Sequence, residues 1–267
     1  MDHAREQFGE LVSPGGGALA GELDYGAILI AAAVEPGTDV TNELARLDAL
    51  ADSMTPSNVA ELSEALFGGA RPDPAVHFRG NQQAYYDAQN SLLPRVLDRR
   101  VGIPITLSLL LIEVGRRHGI ILQGVGMPGH FLARAGNEFV DAFHGGAIFD
   151  ERGCEAVFQR LVGEPVPLPD GALDPTAPAF ILMRMLNNLS AIASSSQNKR
   201  MLHAVRSLIA VFPEADHRDH IQHAYAASQV GQYGEAASAA ERALRTVPDQ
   251  VRPRLEGQIA TWRARLN

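Results

Sequence analysis

Cysteine is almost missing from this chain, Cys154 being the single one in 267 residues. One thiol can form no intramolecular disulfide and no cysteine-based zinc site. A basic surplus is missing too: 23 Lys and Arg face 31 Asp and Glu, a formal charge of −8, and no basic run or basic-aromatic stripe offsets it. That balance argues against gripping a phosphate backbone, so no nucleic-acid partner is expected. Segment 1–17 carries Asp2, Glu6 and Glu10 and lacks a continuous apolar core. It reads as neither secretory signal nor membrane span, which makes a cytoplasmic location without membrane association the expectation. The length allows one large domain or two smaller ones with ample core.

What is present centres on Val101 to Asp141. Pro104 suits the first turn of a helix and Gly119 supplies a left-handed stop, and between them Leu107, Leu109, Leu110, Leu111, Ile112 and Val114 cover most of the circumference. Such a helix is enclosed on nearly every side, with Arg116, Arg117 and His118 reaching solvent at its C-terminal end. Beyond it, Ile120 to Val125, Phe131 to Arg134 and Glu138 to Phe143 have strand composition, separated by Pro128-Gly129 and by Gly136-Asn137, a tight hairpin.

Upstream, Ser13-Pro14-Gly15-Gly16-Gly17 breaks any helix begun at Asp2, so 1–17 reads as a flexible arm. Leu23, Ala27, Ile30 and Val34 recur at helical spacing, as do Val40, Leu44, Leu47 and Ala51, and Thr55-Pro56-Ser57-Asn58 offers both a stop and a cap for a third helix through Leu62, Leu66 and Phe67. Residues 68–80 read as loop, and a helix around Leu92, Val96 and Leu97 follows, with Asn90 or Ser91 as its cap.

Downstream, Asp150 caps a helix with Cys154, Val157, Phe158 and Leu161 on one face, which makes Cys154 a core residue. Pro165, Pro167, Pro169, Pro175 and Pro178 then mark a linker over 164–178. Helical patterns cover Phe180 to Ala193, Lys199 to Val211, Ile221 to Val230 and Gly234 to Thr246, and Pro213 and Pro248 lie 35 residues apart. That spacing, with Ala236, Ala240 and Ala243 ahead of Pro248, suits a tetratricopeptide-like unit preceded by a degenerate one, and a helix through Val251, Leu255, Ile259 and Trp262 caps the array.

The segments Gly80-Asn81, Tyr85-Tyr86-Asp87, Asn90-Ser91, Arg99-Arg100, Gly102-Ile103-Pro104-Ile105, Pro128-Gly129-His130-Phe131 and Asp141-Ala142-Phe143 with Gly145-Gly146 resemble a bacterial group. In that group, described as an invasion-regulator family, a transglutaminase-like domain is followed by tetratricopeptide-like repeats. The resemblance implies an α+β, mostly helical protein. A transglutaminase-like (cysteine-protease-like) domain with a small antiparallel sheet would fill 18–163, and an all-α tetratricopeptide-like domain would fill 179–267.

Enzymes of that fold place a thiolate at the N-terminus of the buried helix, with a histidine beside it and an aspartate orienting the histidine. The resemblance assigns His130 and Asp141 to the last two roles and puts Pro104 at or beside the nucleophile position, where Ile103 and Ile105 offer nothing either. Thr106 and Ser108 follow within a turn as weak nucleophile candidates. Tyr86, Asn90 and Pro104 are candidates for substrate contact, and His144 could join His130 and Asp141 in a metal-ligand set only if the strand ends between them. No cofactor or metal is expected. The reading that follows is a non-catalytic module that binds a protein or peptide segment through cleft and repeats. The alternative is a hydrolase, amidase or acyltransferase using a hydroxyl with the His130–Asp141 pair.

Overall fold

The structure, a computed structural model, describes residues 2–13 and 22–266. Its elements begin with α1 (Asp2–Val12), α2 (Leu23–Val34), α3 (Val40–Asp52), α4 (Val59–Phe67), β1 (Arg79–Gly80), α5 (Leu93–Arg99) and β2 (Val101–Gly102). Then come α6 (Pro104–Arg117), β3 (Gln123–Val125), β4 (Leu132–Ala135), β5 (Glu138–Asp141), β6 (Ala147–Phe149) and α7 (Glu151–Val162). The remainder is helical: α8 (Pro178–Ser195), α9 (Lys199–Ile209), α10 (His217–Gln229), α11 (Tyr233–Ala243) and α12 (Arg252–Ala264). None of these helices is long and apolar enough to cross a membrane.

The described residues form two compact units. One holds 22–31 and 38–185, the other 2–13, 32–37 and 186–266. The first is built on α6. Pro104 occupies its first turn, and Leu107, Leu109, Leu110, Leu111 and Val114 are fully buried, so this helix is enclosed as its composition demands. At its far end Arg117 pairs with Asp24 at 2.7 Å and Asp48 at 2.8 Å, so it is tied to neighbours and not simply solvated. A four-stranded antiparallel sheet, order β3-β4-β5-β6, packs beside α6. The expected hairpin is β4–β5, with Ala135 opposite Glu138 and Gly136 at φ 59° in the turn. Strand β6 and the two-residue parallel pair β1–β2 were not expected, being too short to show an alternating pattern.

The proline-rich stretch is irregular, but it does not behave as a linker. Val166, Leu168 and Leu173 pack on the core of Val125, Met127, Leu132, Phe139, Cys154 and Phe158. The amide of Thr176 donates to the Gly124 carbonyl at 2.7 Å, so 164–178 lies against the sheet edge and the division between units falls within α8, between Met185 and Leu186.

The helical unit corrects the expected N-terminal arm. Its residues 2–12 form α1, whose Phe8 is fully buried and meets Phe212 edge-on at 5.6 Å, while 14–17 lie outside the described residues. The buried alanines of α11, among them Ala236, Ala240 and Ala243, present small side chains on which Leu255, Ile259 and Trp262 of α12 close the core. Helix α10 opens on a capping box between Asp216 and Asp219.

Candidate functional site

Strand β5 ends at Asp141, because its carboxylate turns back to accept from the amides of Phe143 at 3.2 Å and His144 at 3.1 Å. Those two bonds wind Ala142–His144 into a 3-10 turn. Consequently the opposite-face geometry of residues three apart on a strand does not apply, and His144 returns to the same carboxylate. Gly80 of β1 lies so close that a Cβ there would sit 2.4 Å from the Phe143 carbonyl oxygen, so only glycine lets β1 lie against this turn. His130 arrives from the other side, on the turn Pro128-Gly129 with its amide bonded to the Met127 carbonyl at 3.0 Å.

At the centre His130 Nε2 lies 2.9 Å from Asp141 Oδ1, although off the direction of a true hydrogen bond. His144 Nδ1 lies 2.8 Å from the other oxygen, Oδ2. His130 and Asp141 are buried, whereas the His144 side chain is 47% exposed. Burial alone would raise the Asp141 pKa, but its contacts with His130 and His144 outweigh that and hold the carboxyl well below its ordinary range. Asp141 in turn raises the His144 pKa through its hydrogen bond, against the pull of partial burial. The pair carried by the resemblance, His130 with Asp141, is therefore brought together.

The other sequence candidates divide. Pro104 sits in the first turn of α6, behind an N-cap, Ile103, that offers no side-chain cap. Thr106 Oγ1 donates to the Asn90 carbonyl at 2.6 Å and Ser108 Oγ to the Phe131 carbonyl at 3.3 Å, and among the described residues no hydrogen bond joins either hydroxyl to His130. Asn90 is fully buried and caps no helix: its amide donates to the carbonyls of Ala84 at 2.7 Å and Tyr85 at 3.2 Å, and its oxygen accepts from Asn81 at 3.1 Å. It pins the loop before α5, with both of its amide donors used there. Tyr86 is 80% exposed and meets Tyr85 edge-on, and Tyr85 in turn meets Phe143.

Sequence reasoning missed Arg184, on α8. It donates to the His130 carbonyl at 2.8 Å and stacks over Phe131, with burial lowering its pKa. Nothing local in the sequence ties it to a histidine 54 positions earlier.

Residues 38–187 match the family described as the transglutaminase-like superfamily. A UPF0162 protein of Xylella fastidiosa (strain 9a5c) is 36% identical over 177 residues, covering 61% of this chain and 60% of that protein. A UPF0162 protein of Pseudomonas aeruginosa is 31% identical over 174 residues, 64% of each. F-box only protein 21 of Mus musculus is 32% identical over 162 residues, 52% of this chain and 24% of that protein. The chain spans about three fifths of the length of the Xylella relatives it matches, at 60%. No solved structure matches it. With residues 38–187, more than half its length, matched, the chain belongs to the transglutaminase-like superfamily.

Proposed function

We propose that this chain is a non-catalytic member of the superfamily, a cytoplasmic regulatory module that holds a protein or peptide segment. The observation that carries the reading is Pro104 in the first turn of α6, where a catalytic member needs a thiol. A lone histidine–aspartate pair orients and donates, but transfers no acyl group without a nucleophile. The hydroxyls of Thr106 and Ser108 are turned to backbone carbonyls, which weighs against the hydrolase, amidase or acyltransferase alternative. Cys154 is no substitute: burial pushes its thiol up to about 12.

Binding is supported by the surface beside the pair. Tyr86 is exposed and meets Tyr85 edge-on, and His144 is half-exposed, a rim of flat polar-tipped groups suited to peptide contacts. Helices α9 to α12, each packed on the next, and the alanine-lined α11 support a tetratricopeptide-like array as the second binding element. A random peptide library displayed on phage, selected on the whole protein and retested on Tyr86→Ala, examines this directly. Loss of the selected peptides from Tyr86→Ala is expected; undiminished binding would remove the aromatic rim from the reading.

A further inference from the structure

Among the described residues, two groups of two histidines and one carboxylate occur: His130, Asp141 and His144, and, in the helical unit, His203, His223 and Glu235. In each, one ligand atom per residue lies within 4.8 Å of the others. What else reaches the carboxylate separates them. Glu235 takes Nε2 of His203 and of His223, each at 2.9 Å, and also the Arg5 guanidinium at 2.7 Å. The arginine already supplies the positive charge a metal would bring. His223 Nδ1 is moreover buried without a partner, whereas a metal-bound imidazole gives its second N–H to one. That cluster is an internal clamp joining α1, α9, α10 and α11.

Asp141 differs on each count. Among the described residues no arginine or lysine bonds to it, Arg184 reaching instead the His130 carbonyl. Backbone amides of Phe143 and His144 fix its orientation, as the outer contacts of a metal-binding carboxylate do. His130 Nε2 is buried and unpartnered, directed beside the Asp141 oxygen and not at it, although only 2.9 Å away. His144 brings its Nδ1 to the other oxygen at 2.8 Å, and its half-exposed ring leaves a path from solvent and water for its remaining nitrogen.

We propose that His130 Nε2, Asp141 and His144 Nδ1 bind a divalent transition-metal ion of the zinc type. Two imidazoles with one carboxylate suit zinc, cobalt or nickel and not magnesium or calcium, which require oxygen shells. Zinc bonds of about 2.0–2.2 Å set tetrahedral ligand atoms about 3.3–3.6 Å apart, and here each imidazole nitrogen already lies 2.8–2.9 Å from an Asp141 oxygen, with one ligand atom from each of the three residues within 4.8 Å of the others. The inference goes beyond the binding reading, and it stands or falls on metal titration whatever the phage selection returns.

The test uses untagged, chelator-stripped whole protein. Zinc chloride is titrated by calorimetry and cobalt chloride by visible absorption, on wild type, His144→Ala, His144→Gln and His203→Ala, with circular dichroism on each. One zinc per chain is expected in wild type and His203→Ala. Both His144 variants should bind more than about 100-fold more weakly, since loss of an outer-shell partner alone costs about 10–100-fold, and should lose the cobalt bands. Wild-type affinity no greater than that of folded His144 variants, or a stoichiometric site surviving in them, overturns the proposal. So does loss of the site in a folded His203→Ala.

Discussion

Replacing Thr106 by valine keeps the shape of the side chain and removes only its hydroxyl. That hydroxyl donates to the Asn90 carbonyl at 2.6 Å in a fully buried setting. The variant therefore leaves a backbone acceptor buried without this donor, a loss of about 1–3 kcal/mol. Ser108 makes a longer bond, 3.3 Å, so Ser108→Ala should cost under about 1 kcal/mol. At about 2–4 °C per kcal/mol for a unit of this size, Thr106→Val should melt several degrees lower and Ser108→Ala only slightly lower. Differential scanning calorimetry with matched urea titrations reads both. A hydroxyl kept for chemistry behaves the other way, because functional groups are commonly held at a cost in stability. A Thr106→Val variant as stable as wild type, or more so, would refute the structural role given to this hydroxyl.

Three further outcomes are expected. Native protein at neutral pH should resist alkylation at Cys154, whose thiol is pushed up to about 12 by burial, and should react only on unfolding; rapid labelling by iodoacetamide, followed by mass, would contradict this. The helical unit should lose stability on acidification. Burial lowers the pKa of His223 in spite of Glu235, so the unfolded chain binds its proton first and stability falls as pH drops below about 6.5; contacts from His203 and His223 outweigh burial to lower Glu235, adding a second loss below about 4.5. Urea midpoints from pH 7.5 to 4 should show this slope, and His223→Gln should flatten its upper part. Finally, the Thr176 amide, bonded to Gly124, should exchange slowly in native hydrogen exchange and 164–178 should resist proteolysis; cleavage there ahead of other loops would mean the stretch is a free linker after all.

Much of the sheet-containing unit is legible in the chain because its signals are local. Pro104 and Gly119 bracket α6, Asn58 caps α4 through the Glu61 amide, Asp150 caps α7 through Gly153, and Gly136-Asn137 turns the β4–β5 hairpin. The His130–Asp141 contact follows from the family resemblance and not from spacing. What stayed hidden depends on distant partners. Phe8, Leu11 and Val12 carry a helical spacing that the following glycines obscured, so α1 read as an arm although its Phe8 is core. Asn90 read as a cap because asparagine commonly serves there, but Leu92 takes the N-cap position and the amide holds a loop. The strand run reads on to Phe143 in sequence, whereas β5 ends at Asp141, and it is that early end that returns His144 to the same carboxylate. The clamp of His203 and Glu235 spans 32 residues and leaves no local mark.

The most direct measurement concerns turnover at the His130–Asp141 pair. Wild type, Thr106→Ala, Ser108→Ala, His130→Ala and Asp141→Asn are incubated with amide, ester and glutaminyl-peptide substrates, and products are followed by mass. A site without a nucleophile predicts no product above the His130→Ala background in any of them. A base and its nucleophile act as a unit, so a wild-type turnover lost in a folded Thr106→Ala or Ser108→Ala and equally lost in His130→Ala would show an enzyme and contradict the binding-only site.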